Sequence, residues 1–374
     1  MLSFWERDAW FNHSDFCIIG AGIVGLSAAY RLKQLFPKAR ILVLERGTLP
    51  DGASTKNAGF ACFGSLTEIA ADLKNHSADE VLALIRRRVS GLNLLRSLVS
   101  DHEMDYQKFG GYEVFKEEDE PSFKEAMAIL PEMNKLLMSD FAEEPVYSLQ
   151  SEQLRSFGFK GFNQMLLNRA EAQIDTGKMM KTLLHRIRQQ GIEVLMGVEV
   201  LEVQEQVGKV SIRTPFTELE AAHVLLTTNA FAAQLAPELE VKPGRAQVLI
   251  TQPVENLPFK GTFHYQEGYF YFRNVGNRVL LGGGRNLDFE GETTYTHALT
   301  PVIQNALERL LNEHILPGKT AVVEQRWAGT LGLGVQKSPI TKMLGSRVAC
   351  SVRMGGMGVA LGSRAGFDGA ELFI

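Results

Sequence analysis

Four consecutive apolar residues, Phe16 to Ile19, follow a mixed N-terminal stretch, and so short and wholly apolar a run reads as a strand buried on both faces of a parallel sheet. The period then changes. Ile23, Leu26, Tyr30 and Leu32 are spaced for one face of a helix, and after Pro37 the run RILVLER reads as a second strand. Together these elements form a βαβ unit of about 30 residues.

From Leu66 to His102 the three- and four-residue spacing predicts helix, with Arg86, Arg87 and Arg88 on a solvated face. DYQKFGGYEVF reads as a hairpin, and PSFKEAMAILPEMNKLLMSDF as a helix interrupted by Pro131. Asp175 is placed to N-cap a helix that stops at Gly191. Strands follow in VEVLEVQEQVGKVSIRT and AAHVLLTTNAF, and again between Pro243 and Arg285, where VGN in GYFYFRNVGNRVLLGGG marks a turn. The chain closes on the strand VACSV, the glycine-rich MGGMG and a short helix.

This order predicts an α/β protein. A Rossmann-like, parallel nucleotide-binding unit is expected from discontinuous segments, 1–75, 150–235 and 322–374, with an α+β substrate or cap unit of mostly antiparallel sheet from 76–149 and 236–321. With 39 basic against 43 acidic residues and a formal net charge of −4, the chain offers no basic field for nucleic acid, so a small-molecule ligand is expected. Cys17, Cys62 and Cys350 lack C-x-x-C spacing and the eight histidines lack ligand spacing, so neither a disulfide framework nor a metal is expected. A cytoplasmic protein fits this cysteine usage, and no stretch reaches the ~20 apolar residues of a membrane span.

The first strand-to-helix turn carries Gly20, Gly22 and Gly25 as G-x-G-x-x-G. That spacing allows a tight turn, close approach of backbone to a pyrophosphate, and tight helix packing, with the helix N-terminus aimed at the phosphates. Glu45, followed by Arg46, ends the second strand 20 residues past Gly25, where a carboxylate accepts ribose hydroxyl protons. A second cluster, Gly355, Gly356, Met357 and Gly358, follows the last strand and opens the last helix. A nicotinamide cofactor has no need of it. A flavin does, because backbone N–H groups and a dipole end offset the charge that reduction places on the isoalloxazine.

DFCIIGAGIVGLSAAYRL, ILVLER and GASTKNAGF, together with RWAG, SPI and MGGMGVALGSRAG, resemble the D-amino-acid oxidase-like FAD-dependent oxidoreductases, which include glycine oxidase, sarcosine oxidase and gamma-glutamylputrescine oxidase. The resemblance implies FAD and oxidation of a C–N bond in an amine or amino acid. Hydride would pass to flavin N5, the imine would hydrolyse, and O2 or another acceptor would take the electrons. It further implies cofactor contacts from Ser54, Thr55, Asn57, Ala58 and Gly59, from Val200 toward the adenine, and from Thr228; Lys56 stands where many relatives carry arginine.

On GYFYFR the two-residue strand period puts Tyr269, Tyr271 and Arg273 on one face, a candidate catalytic wall of two hydroxyls and a cation; His264 and Tyr265 are further candidates. Two departures bear on the substrate. Relatives acting on simple amino acids carry W-x-G-x-R-P, whose arginine clamps the carboxylate, but here Leu331 occupies that position, leaving Arg326 or Arg273 to replace it. RVLLGGG has leucine where sarcosine-oxidase-like relatives have lysine above the flavin, so oxidase and dehydrogenase both stay open. YFR with NRVLLGGG is most similar to the gamma-glutamylputrescine oxidase branch. Cys62 and Cys350 read as buried small residues rather than flavin attachment points. Oxidation of a 2-hydroxy acid and a flavin-binding subunit without turnover are the alternatives.

Overall fold

The computed structural model describes residues 3–141, 145–319 and 321–374; residues 1–2, 142–144 and 320 of the expected domain ranges lie outside it. The apolar run forms the strand Ser14–Ile19, with Cys17 and Ile18 fully buried. It pairs in parallel with Ile41–Glu45 on one side and Glu218–Leu226 on the other. Glu193–Met196 and Val348–Val352 extend the parallel sheet outward, and Ile340–Met343 closes one edge antiparallel. First, middle and last parts of the chain therefore share one sheet.

Three helices meet closely over this sheet. The helix Gly358–Glu371 packs on Ile23–Leu35 through Gly366, where a Cβ would fall 2.4 Å from the Val24 carbonyl oxygen. It meets Ala78–Leu98 at Gly91, whose Cβ would fall 2.1 Å from the Ala360 oxygen. Only glycine allows such contact.

A second sheet runs in the order Val323–Leu333, Lys242–Thr251, Arg278–Gly283, Phe270–Val275, Thr262–Tyr265, Gly111–Phe115, Gln164–Asn168 and Tyr147–Leu149. It is antiparallel except where Thr262–Tyr265 lies parallel to Gly111–Phe115. One face is an apolar core in which Phe263 and Phe272 stack 4.7 Å apart, joined by Leu249, Leu281, Leu307 and Leu311. By hydrogen bonding, Gln164–Asn168 and Val323–Leu333 belong here, although both lie in stretches expected for the nucleotide unit. The reason is visible in VEQRWAGTLGL, whose mixed composition suits a sheet with two unlike faces rather than a doubly buried strand.

Three local expectations are corrected. The stretch 105–115 is not a hairpin: Gln107 bridges to Gln173, Gly110 turns the chain at φ +86°, and only Gly111–Phe115 forms a strand. Pro131 does not interrupt its helix, which runs from Glu120 to Leu137 with the proline on the exposed side. The helical stretch from Leu66 divides at Ser77, which forms a capping box with Glu80.

Arg88 is likewise not solvated. It sits on the buried stripe of Ile85, Leu92 and Leu95, donating to the Phe63 carbonyl oxygen at 2.8 Å and to Glu68 at 2.9 Å. Arg86 and Arg87 pair with Asp140 and Asp368.

Gly366→Ala places a methyl group against the Val24 carbonyl, and overpacking of this kind costs ~1–3 kcal/mol. Denaturant unfolding should show that loss of stability. An unchanged midpoint would mean that the two helices part freely.

Candidate active site

Parallel pairing brings the ends of Ser14–Ile19, Ile41–Glu45 and Glu218–Leu226 to one edge, where a cleft opens. Gly20 turns the chain off its strand at φ +107°. A Cβ on Gly25 would lie 1.9 Å from the Gly20 carbonyl oxygen and 2.7 Å from Thr227 Oγ1, so the helix can start this close only without a side chain there. Thr227 donates its hydroxyl to the carbonyl oxygens of Ile19 and Gly20 at 2.8 and 3.0 Å, locking the two strand ends together.

Glu45 is buried at the cleft and accepts from the backbone N–H groups of Ala21 and Gly47, each at 3.0 Å. Ser54 accepts from the Ile23 N–H at 3.0 Å, bringing the 52–59 loop over the helix N-terminus. Gly22, Ser54, Asn57, Val200, Thr228 and Arg46 all line this cleft, the last with its guanidinium 3.8 Å from the Phe231 ring centroid. Thr228 Oγ1 is buried without a partner.

The second glycine cluster reaches the same place from the far end of the chain. Asn229, at φ +47°, accepts from the Met354 N–H at 3.1 Å, which holds the start of the cluster against the end of Glu218–Leu226. Gly356 and Gly358 line the first cleft. Gly355, Gly356 and Met357 line a second, larger cleft that adjoins it along Ala53, Asn57, Leu331, Gly356 and Val359.

The wall of the second cleft is one face of the second sheet. Cross-strand register sets Glu113, His264, Tyr271, Gly282, Val248 and Trp327 in a row. Tyr271 lies across Gly282, where a Cβ would fall 2.6 Å from its ring, and its phenol is pushed up to about 12 by burial. Tyr269 stands just ahead of the strand Phe270–Val275, 39% exposed at the cleft. Lys56, Ala58, Cys62 and Leu331 are further lining residues.

The DAO family profile, FAD dependent oxidoreductase, matches residues 15–372. The chain belongs to that family. Among curated proteins it is 21% identical to a probable oxidoreductase OrdL of Haemophilus influenzae, over 97% of this chain and 83% of that protein. Among solved structures, glycine oxidase from Geobacillus kaustophilus superposes with TM-score 0.77 at 16% identity, covering 96% of this chain and 94% of that one. L-proline dehydrogenase from P. horikoshii gives 0.75 at 17% identity, covering 97% and 93%. Iminodiacetate oxidase from Chelativorans sp. BNC1 gives 0.73 at 16% identity, covering 96% and 95%. These likenesses show the shared fold. The protein is an FAD-dependent oxidoreductase, and its first cleft fits that cofactor: a side-chain-free lining at Gly20 and Gly22, the partnerless Thr228 hydroxyl, and the helix N-terminus at Ile23.

Several expected family contacts lie elsewhere. Thr55 spends its hydroxyl on the carbonyl oxygens of Pro50 and Gly52, and Gly59, at φ +75°, is packed under the Ile174 carbonyl. Arg273 is buried, donating to the carbonyl oxygens of Ala58 at 2.5 Å and Ile174 at 2.9 Å, so it braces the 58–59 loop instead of facing a ligand. Arg326 is held by Glu308 and Gln304, and Tyr265 belongs to the apolar face. Arg285, Thr227 and Asn229 were missed. The double glycine before Arg285 and the TTN run after the strand were their visible signals.

Behind His264 lies a buried acid pair. Burial pushes Glu171 up to about 8 against two backbone N–H donors, and Glu113 up to about 7 against the Thr67 hydroxyl and N–H. His264 Nε2, 3.9 Å from Glu171, is partnerless, and burial drives its ring down to about 4. Burial also works against Glu68, yet Arg88 and Lys337 hold it at about 2. Among the described residues no His, Cys, Asp and Glu group could hold a metal ion, and no helix is long and apolar enough to cross a membrane.

Glu171 binds its proton more tightly folded than unfolded, where it titrates near the ordinary 4.5. The unfolded state therefore holds fewer protons between about 4.5 and about 8, and stability falls as pH rises through that window. Glu171→Gln should flatten the fall in Tm between pH 5 and 8 by a few degrees, since each pH unit is worth ~1.4 kcal/mol. Parallel curves for variant and wild type would show that Glu171 ionises freely.

Proposed function

We propose that the protein oxidises a C–N bond of an amine or amino acid. The observation that carries the reading is the second cleft: it shares a boundary with the cofactor cleft at Gly356 and Leu331, and the sheet that walls it presents Tyr271 and an uncharged His264. Bound FAD would supply a two-electron acceptor for hydride from the carbon bearing nitrogen; with a proton lost from that nitrogen to water, the substrate would become an imine that hydrolyses.

The protein's part is binding and exclusion of water. Gly20, Gly22 and Ser54 would run along the pyrophosphate, with Gly25 letting the helix start close beneath them, and Glu45 would hold the ribose. Val200 would meet the adenine, while Asn57, Ala58 and the 355–358 cluster, which line the two clefts, would border the reacting ring. Tyr271 and Tyr269 wall the substrate, and the unprotonated His264 ring can accept a hydrogen bond from a substrate N–H without adding charge. Such a site favours the neutral amine, whose lone pair is needed as hydride departs.

Anaerobic mixing of the holoenzyme with a panel of amines, amino acids and 2-hydroxy acids should bleach the flavin only with nitrogen-bearing substrates. Bleaching by hydroxy acids alone would sink the reading. Glu45→Gln turns an N–H donor toward backbone N–H groups and should weaken FAD binding at least tenfold, as ~1.5–3 kcal/mol for a charged hydrogen bond implies. Fluorescence titration of the apoprotein measures this, and unchanged affinity would remove Glu45 from the cofactor site.

A further inference from the structure

Among the described residues, two of the four lysines and arginines that line the second cleft are held in ion pairs. Lys56 pairs with Asp51, Lys337 pairs with Glu68 and Asp72, and Lys242 is exposed at the rim. Arg273 and Arg326, the two candidates to replace the family's missing clamp at Leu331, are bound to carbonyl oxygens and to Glu308 with Gln304. Arg285 differs. Its guanidinium has no ion pair or hydrogen bond, and its Nε is closed off from solvent without a partner.

The backbone delivers it there. Gly283 and Gly284 are both left-handed, at φ +110° and +79°, and a Cβ on Gly283 would fall 1.9 Å from the Tyr269 carbonyl oxygen. Gly284 donates its N–H to that same oxygen at 2.8 Å. The turn lays the guanidinium of Arg285 over the Phe289 ring, 4.9 Å from its centroid, while Tyr269 meets Phe289 edge-on at 5.8 Å. An arginine stacked by its face presents its fork of N–H groups edgewise, which is the geometry a carboxylate takes in bidentate fashion.

We propose that Arg285 binds the carboxylate of the substrate, which makes that substrate an amino or imino acid rather than a simple amine or a diamine. The proposal rests on the C–N reading only for which bond is oxidised. Charge in the cleft agrees with it. Behind His264, Glu171 retains its proton near neutrality and Glu113, part ionised there, is held by the Thr67 hydroxyl and N–H, Glu68 is neutralised by Arg88 and Lys337, and Glu238, Glu240 and Glu267 are exposed at the rim. A second ammonium group would find no free buried carboxylate there, whereas an anion finds a free cation.

The test is calorimetric titration of the holoenzyme with acetate and benzoate and with the neutral isosteres acetamide and benzamide. Wild type should bind at least one carboxylate about tenfold or more tightly than its amide, the ratio expected for a charge-assisted hydrogen bond. Arg285→Met should abolish the preference and Arg285→Lys should keep part of it. Wild type with no carboxylate preference, or either variant with the full preference, overturns the proposal, and the lysine variant decides should the methionine variant not fold. Failure of the C–N reading has another signature: carboxylates still bind through Arg285, but only 2-hydroxy acids bleach the flavin.

Discussion

Both clefts depend on a single row of strand ends, in which Ile19 stands beside Leu226 and Leu226 beside Cys350 through parallel pairing. These residues are far apart in the chain, so the pairing must offset a long loop-closure cost, and it does so by burying strands on both faces. A fully buried Ile, Leu or Val contributes ~1.5–3 kcal/mol, and Ile18, Val43, Leu44, Val224 and Val352 are all at or near full burial. Doubly buried strands specify register weakly by pattern, since a slip exchanges one apolar side chain for another. Thr227 supplies the missing specification. Its hydroxyl spans the Ile19 and Gly20 carbonyl oxygens, and a slip of one residue, ~3.3 Å, would break both bonds and drive Thr227 out of the hollow left by Gly25.

The second sheet solves a different problem, because one face must be a core and the other a wall. Alternation along Phe270–Val275 sends Phe270 and Phe272 into the aromatic cluster around Phe259 and Phe263, leaving Tyr271 for the cleft. Arg273 shares that outer face, yet it is captured by the Ala58 and Ile174 carbonyls, and so joins the sheet to the loop that begins at Gly52. Desolvation of its guanidinium is tolerated because those oxygens replace water.

Legibility in the sequence followed locality. The βαβ unit, the Asp175 cap, the Gly276–Asn277 turn and both glycine clusters were readable because each is set by residues adjacent in the chain. Arg88 could have been read too, since it continues the buried stripe of its helix, but its charge outweighed its position. The sheet to which Val323–Leu333 belongs, the partners of Gly111–Phe115 and the fate of Arg273 were not legible, because each is decided by a strand or carbonyl far away in the chain. The same holds for Arg285: its position follows from two glycines, but its lack of a partner is a property of everything around it.

Asn229 shows why the two clefts act as one body. A non-glycine residue at φ +47° carries strain, and such strain persists only where neighbours fix the conformation. Here its Oδ1 accepts from the Met354 N–H, and Gly332 must lack a side chain because a Cβ there would fall 2.5 Å from that oxygen. The strand bearing Leu331, the start of the 355–358 cluster and the loop bearing Thr228 therefore converge on one amide. None can shift without breaking a half-buried hydrogen bond or meeting the Asn229 side chain. The boundary between the two clefts is consequently pinned at that amide, and on the proposed reading the choice among substrates falls to the side chains that project from it and from the facing strands.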